Sequence, residues 1–269
     1  MPIFVHVRRG INGDPTGLRE VIAQAKRANA NVHIWHITHN VMKNIDFFLA
    51  EINQAKIDGV DITTEVLPYN AGSALISSAV FGRDWQAIFN ITYSDVEWPA
   101  TGERFTQQSW ERRRQEEPNG VVVHHYVKES WTQTAIKDPS VIIVSDLMPM
   151  LSLDKNVAPH NGAFTKVISQ YVRTEGLLTL PQALGRMTLM PAQRLEKIAP
   201  AFKRKGRIHV GMDADITVFD LAQLTSKASY KQSYQEAIGL ASVIVGGQPI
   251  IANGEAVKDV YPGKRLLAQ

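Results

Sequence analysis

Through its first half the chain alternates short apolar runs with amphipathic stretches, and this rhythm predicts strands and helices in turn. Ile3 to Val7 reads as a short buried strand. Asp14-Pro15 supplies a helix start, with an Asp N-cap and a proline in the first turn; Leu18, Val21, Ile22 and Ala25 then share one face. Val32 to Ile37 is the next apolar run. A helix over about Val41 to Ile57 follows, closed by Asp58-Gly59, and Val60 to Leu67 is a third strand ended by Pro68. From Tyr69 to Gly120 the pattern loses regularity, apart from a helix over Thr106 to Glu117. Val121 to Tyr126 then reads as a strand, Ser130 to Lys137 as a short helix and Val141 to Val144 as a strand covered on both faces. Such alternation predicts parallel pairing with right-handed crossovers.

Beyond Asp146 the pattern changes. Phe164, Val167, Ile168, Tyr171 and Val172 keep helical spacing, Gly176 is the expected C-cap, and Thr179 with Gln182 forms a capping box that opens another helix. From Gly206 short strands take over: Arg207 to Val210, Ile216 to Phe219, Val243 to Val245 and Pro249 to Ile251. Gly246-Gly247 reads as a two-residue hairpin turn. The change in character places a domain boundary near residue 205, dividing the chain into 1–205 and 206–269.

At 269 residues and 44% hydrophobic composition the chain is long and apolar enough for one large packed domain with a small companion. A net charge of +3 and a pI of about 9.0 are mild. The densest basic run, Arg112-Arg113-Arg114, is followed by Glu116 and Glu117, which makes it a solvated helix face; nucleic acid is not an expected partner. There is no cysteine, which excludes disulfides and thiolate metal ligands. The N-terminal residues lack the layout of a signal peptide and no run has the length of a membrane span, so the expected location is cytoplasmic, away from the membrane.

Three polar residues sit on or at the ends of apolar strands: His6 in FVHVR, His36 in VHIWHIT and Asp146 in VIIVSD. An Asp there can be a turn or helix cap. It can equally be a catalytic acid, because α/β barrels place their chemistry at the C-terminal ends of parallel strands. A strand histidine can be a packed core residue, and His39 and the pair His124-His125 compete for any ligand role. Two imidazoles and a carboxylate also match a hydrolytic zinc site, with a carboxylate able to move a proton. No GxSxG, HExxH, P-loop or dinucleotide fingerprint points to another chemistry.

The segment KGRIHVGMDADITVFD, Lys205 to Asp220, resembles the Gly-x-Ile-x-x-Gly-x-Asp-Ala-Asp signature near the C-terminus of amidohydrolases. LTLPQALGRMTLMPAQRLE, EVLPYNAGSA and PATGERFTQQSW are similar to the N-acyl-D-amino-acid deacylase (D-aminoacylase) branch of that superfamily, and the resemblance runs over essentially the whole chain. It implies an α/β fold: the C-terminal part of a (β/α)8 TIM-like barrel, about strands 5–8, plus a small β-rich side domain in which the Gly211 and Asp213 turn lets two strands pair. It implies a Zn2+-dependent hydrolase acting on the amide C–N bond of a small N-acylated substrate, with one or two ions. His6 and His36 fall on metal ligands, Asp146 on the proton-shuttling acid, and Arg8, Tyr69 and His160 on substrate-binding positions.

The sequence departs from that family in two respects. The family's earlier His-x-His strand and its neighbours have no counterpart here, so the expectation is a truncated chain with open sheet edges that self-associates or pairs with a complementing N-terminal half, inactive alone. The family's Ser-His-x-Lys reads Trp35-His36-Ile37-Thr38, and its His-Pro-Arg reads Pro159-His160-Asn161. The alternative to an enzyme is a non-catalytic, self-associating interaction module.

Overall fold

A computed structural model describes residues 3–8, 10–147 and 160–268. In chain order its strands are β1 (Ile3–Val5), β2 (Val32–Ile34), β3 (Ile62–Val66), β4 (Gly72–Leu75), β5 (Val96–Trp98), β6 (Glu103–Arg104), β7 (Val121–His124), β8 (Val141–Ile143), β9 (Ile216–Phe219), β10 (Leu240–Val245), β11 (Gln248–Ala252) and β12 (Glu255–Ala256). Among the described residues they form three four-stranded sheets. The sheet that matters most for the site is parallel, in the order β1-β2-β3-β8.

Alternation explains how that sheet is built. Residues two apart on a strand face the same way. Val32, Ile34, Ile62, Val66, Val141 and Ile143 enter one apolar core with Leu18 of helix Thr16–Ala28, Phe48 and Ile52 of helix Ile45–Ile57, and Ile136 of helix Glu129–Lys137. Fully burying each such side chain contributes about 1.5–3 kcal/mol. The alternate residues, His33, Thr63 and Glu65, lie between them on the strands and carry polar groups.

Several expectations are corrected. The helix predicted from Val41 splits into Ile37–Val41 and Ile45–Ile57, because the chain turns at Met42, whose φ is +48°. Val121–His124 is no part of the parallel sheet. It pairs antiparallel with β4 and β5, in the sheet β4-β7-β5-β6. That sheet has its own aromatic core: Trp110 packs against Phe81 and Phe105 at ring distances of 5.0 and 5.3 Å. Local periodicity reads strand or helix, and it does not report which sheet a strand joins.

Residues 207–210 form no strand. Ile208 and Val210 are 87% and 93% exposed, and the Asp213 turn holds Arg204 and Lys205 by ion pairs instead. The antiparallel sheet β12-β11-β10-β9 begins only at Ile216, with the expected turn at Gly246-Gly247. The helix expected from Phe164 is a short α-helix, Ala163–Lys166, continued as a π-helix, Val167–Thr174. Among the described residues no helix is long and apolar enough to cross a membrane.

Candidate active site

Parallel strands bring their C-terminal ends to one edge of a sheet, and there this chain gathers its polar chemistry. His6 directly follows β1, Trp35-His36 follow β2, and Asp146 lies just beyond β8. All three line one cavity of about 610 Å3. The rings of His6 and His36 meet edge to face with centroids 4.9 Å apart. Burial, and then the neighbouring His36, hold the His6 pKa below its ordinary value. A neutral imidazole keeps a lone pair for a ligand.

The backbone at this rim is unusual. His36 has φ +30° and ψ +60°, and Asp146 has φ +52°. Both are left-handed without being glycine, a conformation that costs of order 1–3 kcal/mol and clusters at functional sites. His36 caps the helix Ile37–Val41, so its strain sets the direction in which the chain leaves β2. Its Nδ1 is buried with no hydrogen-bond partner. Such an atom costs stability unless something outside the chain fills the position.

Glu65 supports this turn from the next strand. Its Oε1 accepts from the His36 backbone N–H at 3.4 Å, and its Oε2 lies 2.7 Å from Nε2 of buried His33. Thr63 Oγ1 is 2.6 Å from the other His33 nitrogen. The polar positions of the Ile62–Val66 strand were the sequence signal for this group, and sequence reasoning missed it.

His39 and His124 line the same cavity, as does Tyr126. Tyr126 stacks on His124 at 4.9 Å and donates its hydroxyl to the His39 carbonyl at 3.3 Å. Burial, then the charge of Asp146, raise the Tyr126 pKa, so its hydroxyl stays protonated. Burial, then His125, lower the His124 pKa to about 4. Gly72 admits the His124 ring, since a Cβ there would sit 2.8 Å from it.

The other expected residues divide. Arg8 lines the histidine cavity, and its guanidinium is ion-paired with Glu20. Tyr69 lines a second cavity with His125 and Lys166. His160 opens a short 3-10 turn, and its side chain lies outside the described residues. Thr38, standing where the resembled family carries a lysine, is fully buried.

Two imidazole nitrogens and a carboxylate suit zinc, and the partnerless Nδ1 of His36 suits a ligand atom. Among the described residues, however, no group of three or more His, Cys, Asp or Glu side chains is placed to hold a metal ion. These residues make an open set of donors.

Comparison with known proteins bears on what such a rim does. No family model matches the sequence. The N-acyl-D-glutamate deacylase of Alcaligenes xylosoxydans xylosoxydans is 26% identical over 276 residues, covering 97% of this chain and 53% of that protein. The chain is similar to the N-acyl-D-amino-acid deacylases. The D-aminoacylase of the same organism is 25% identical, covering 87% of this chain and 48% of that one. Among solved structures, the N-acyl-D-glutamate deacylase from Bordetella bronchiseptica, complexed with zinc and a phosphonate inhibitor, superposes with a TM-score of 0.78 at 24% identity, over 98% of this chain and 56% of that one. A D-aminoacylase described as defining a novel subset of amidohydrolases gives 0.76 at 20% identity, over 100% and 56%. The chain thus shares part of the deacylase fold, and it spans about half the length of the curated relatives it matches.

Proposed function

We propose that this chain carries part of the zinc-dependent centre of an amidohydrolase that cleaves the amide bond of an N-acylated D-amino acid. The observation that carries the reading is the convergence of His6, His36 and Asp146 on one cavity at the C-terminal edge of a parallel sheet. His6 and His36 would hold the ion, and the strands beneath them correspond to about the fifth and sixth of a (β/α)8 barrel. When bound, zinc supplies Lewis-acid activation of water and of the amide carbonyl. Asp146 takes the proton from the attacking water and returns it to the leaving nitrogen. Asp146 lines the cavity and has a left-handed backbone. Tyr126 lines the same cavity and stays protonated, with its hydroxyl hydrogen donated to the His39 carbonyl, so it presents only an oxygen lone pair to substrate. Arg8, which lines the same cavity, is the proposed substrate contact, whereas Tyr69 lines the second cavity.

Asp146→Asn tests the assignment, because Asn tolerates the same backbone and keeps the site's shape. Turnover of N-acetyl-D-glutamate and other N-acetyl-D-amino acids should fall by at least about 100-fold, with zinc content unchanged. Wild-type turnover in the variant would refute the role given to Asp146.

A second reading has its own observation. β1 is an edge strand among the described residues, and Ile3, Phe4 and Trp35 beside it are 50%, 39% and 43% exposed. Apolar exposure at an unpaired edge favours association with another copy. A native mass that stays monomeric at all concentrations would dismiss this module reading.

A further inference from the structure

Residues 124 and 125 send adjacent histidines to opposite cavities, His124 to the candidate active site and His125 to a second cavity of about 550 Å3. The second cavity contains an ammonium whose neighbouring carboxylates are engaged elsewhere. Lys166 is half-buried. Its Nζ donates to the Pro68 carbonyl at 2.5 Å and stands 4.6 Å over the Tyr69 ring. Among the described residues no carboxylate lies within ion-pair distance of it. Glu129 influences it only at longer range, and the oxygens of Glu129 already accept from Asn70, Gln170 and Tyr171, the last at 2.7 Å. Glu175 is likewise held by Gln133 and Gln170.

The walls complete the case. Tyr230 packs against Tyr69 and His125 at ring distances of 6.4 and 4.7 Å, giving an aromatic lining. Ser169, Ser226 and Ser229 add hydroxyls. One cation, several neutral polar groups and aromatic rings lining a concave site are what a small polar ligand needs. An ammonium removed from water gains most from a charge-assisted hydrogen bond to an anion. Burial lowers the Lys166 pKa while Glu129 and Glu175 counter it. With a single lysine and no arginine among the lining residues, a monovalent anion fits better than a phosphate dianion.

We propose that the Lys166–Tyr69–Tyr230 cavity is a binding site for a small carboxylate, separate from the histidine cavity and independent of the hydrolytic reading. Propionate and its neutral isostere propionamide are the probes, titrated into the full chain carrying 13C-labelled lysine. One lysine ε-methylene signal, absent in Lys166→Met, should shift saturably with propionate and at least tenfold more weakly with propionamide. Asp146→Asn should bind propionate like the wild type. Equal response to acid and amide, or no saturable shift of that signal, overturns the site. Should Lys166→Met fail to fold, Lys166→Arg identifies the signal by its disappearance, and the wild-type acid-against-amide comparison still decides.

Discussion

The two ends of the parallel sheet solve different problems. At the N-terminal end, buried arginines tie the strands down. Arg186 donates Nε to the Val141 carbonyl at 2.6 Å and its Nη groups to the carbonyls of Ile136 and Ala135. Arg194 pairs with Asp61 and donates to the Val32 carbonyl. Burial lowers the Arg186 pKa only to about 10, so it stays charged at neutral pH. At the C-terminal end the chain does the reverse: two left-handed residues, a buried nitrogen with no partner and an open cavity. One end spends most of its polar groups on the chain itself, Arg194 Nε excepted, and the other opens several of its own onto a cavity. The contrast matches a division in which one barrel face maintains stability and the other does chemistry.

The largest expected effect lies at the tied end. Arg186→Met leaves three buried carbonyls without their donor, at about 1–3 kcal/mol each, and should lower unfolding free energy in urea by about 3 kcal/mol or more. The comparison breaks if zinc affinity of the folded protein falls as well, since the two ends would then not be separable. Next comes Glu65, the link between the core histidine His33 and the His36 turn. Glu65→Ala should weaken zinc binding by about 10–100-fold, as expected for a residue that orients a ligand, and cost about 1–3 kcal/mol of stability because buried His33 loses its Nε2 partner. Glu65→Gln, which keeps an acceptor for the His36 N–H, should fall between; unchanged zinc affinity in Glu65→Ala would remove it as a support. The smallest effect is at Thr179, whose hydroxyl accepts from Gln182 N–H to cap the helix Leu180–Met187 that carries Arg186. Thr179→Ala should cost about 1 kcal/mol of stability and leave zinc binding alone.

Much of this was legible in the sequence, for a local reason. The strands at 3, 32, 62 and 141 announce themselves by apolar runs, and the capping box at Thr179 by residue type and spacing. His6, His36 and Asp146 stood out as polar residues at the ends of such runs, and the structure brings them to one cavity. What pattern did not carry is non-local. The pairing of Val121–His124 with β4 and β5 depends on partners far along the chain. The bonds of Glu65 to His33 and His36 cross between strands, so no spacing within one segment reveals them. Arg207 to Val210 has strand-like apolar spacing, yet the Asp213 ion pairs with Arg204 and Lys205 fix a turn there. Lys166 and Tyr69 meet over 97 positions of sequence, because a helix after β8 returns across the end of β3.

The zinc content of the purified full chain, measured by native mass spectrometry beside His6→Ala and His36→Ala, bears most directly on the central claim. Bound zinc in the wild type, lost in each variant while both remain folded, is the predicted result. A wild type without zinc, or variants that retain it, would contradict the assignment of this rim as a metal centre.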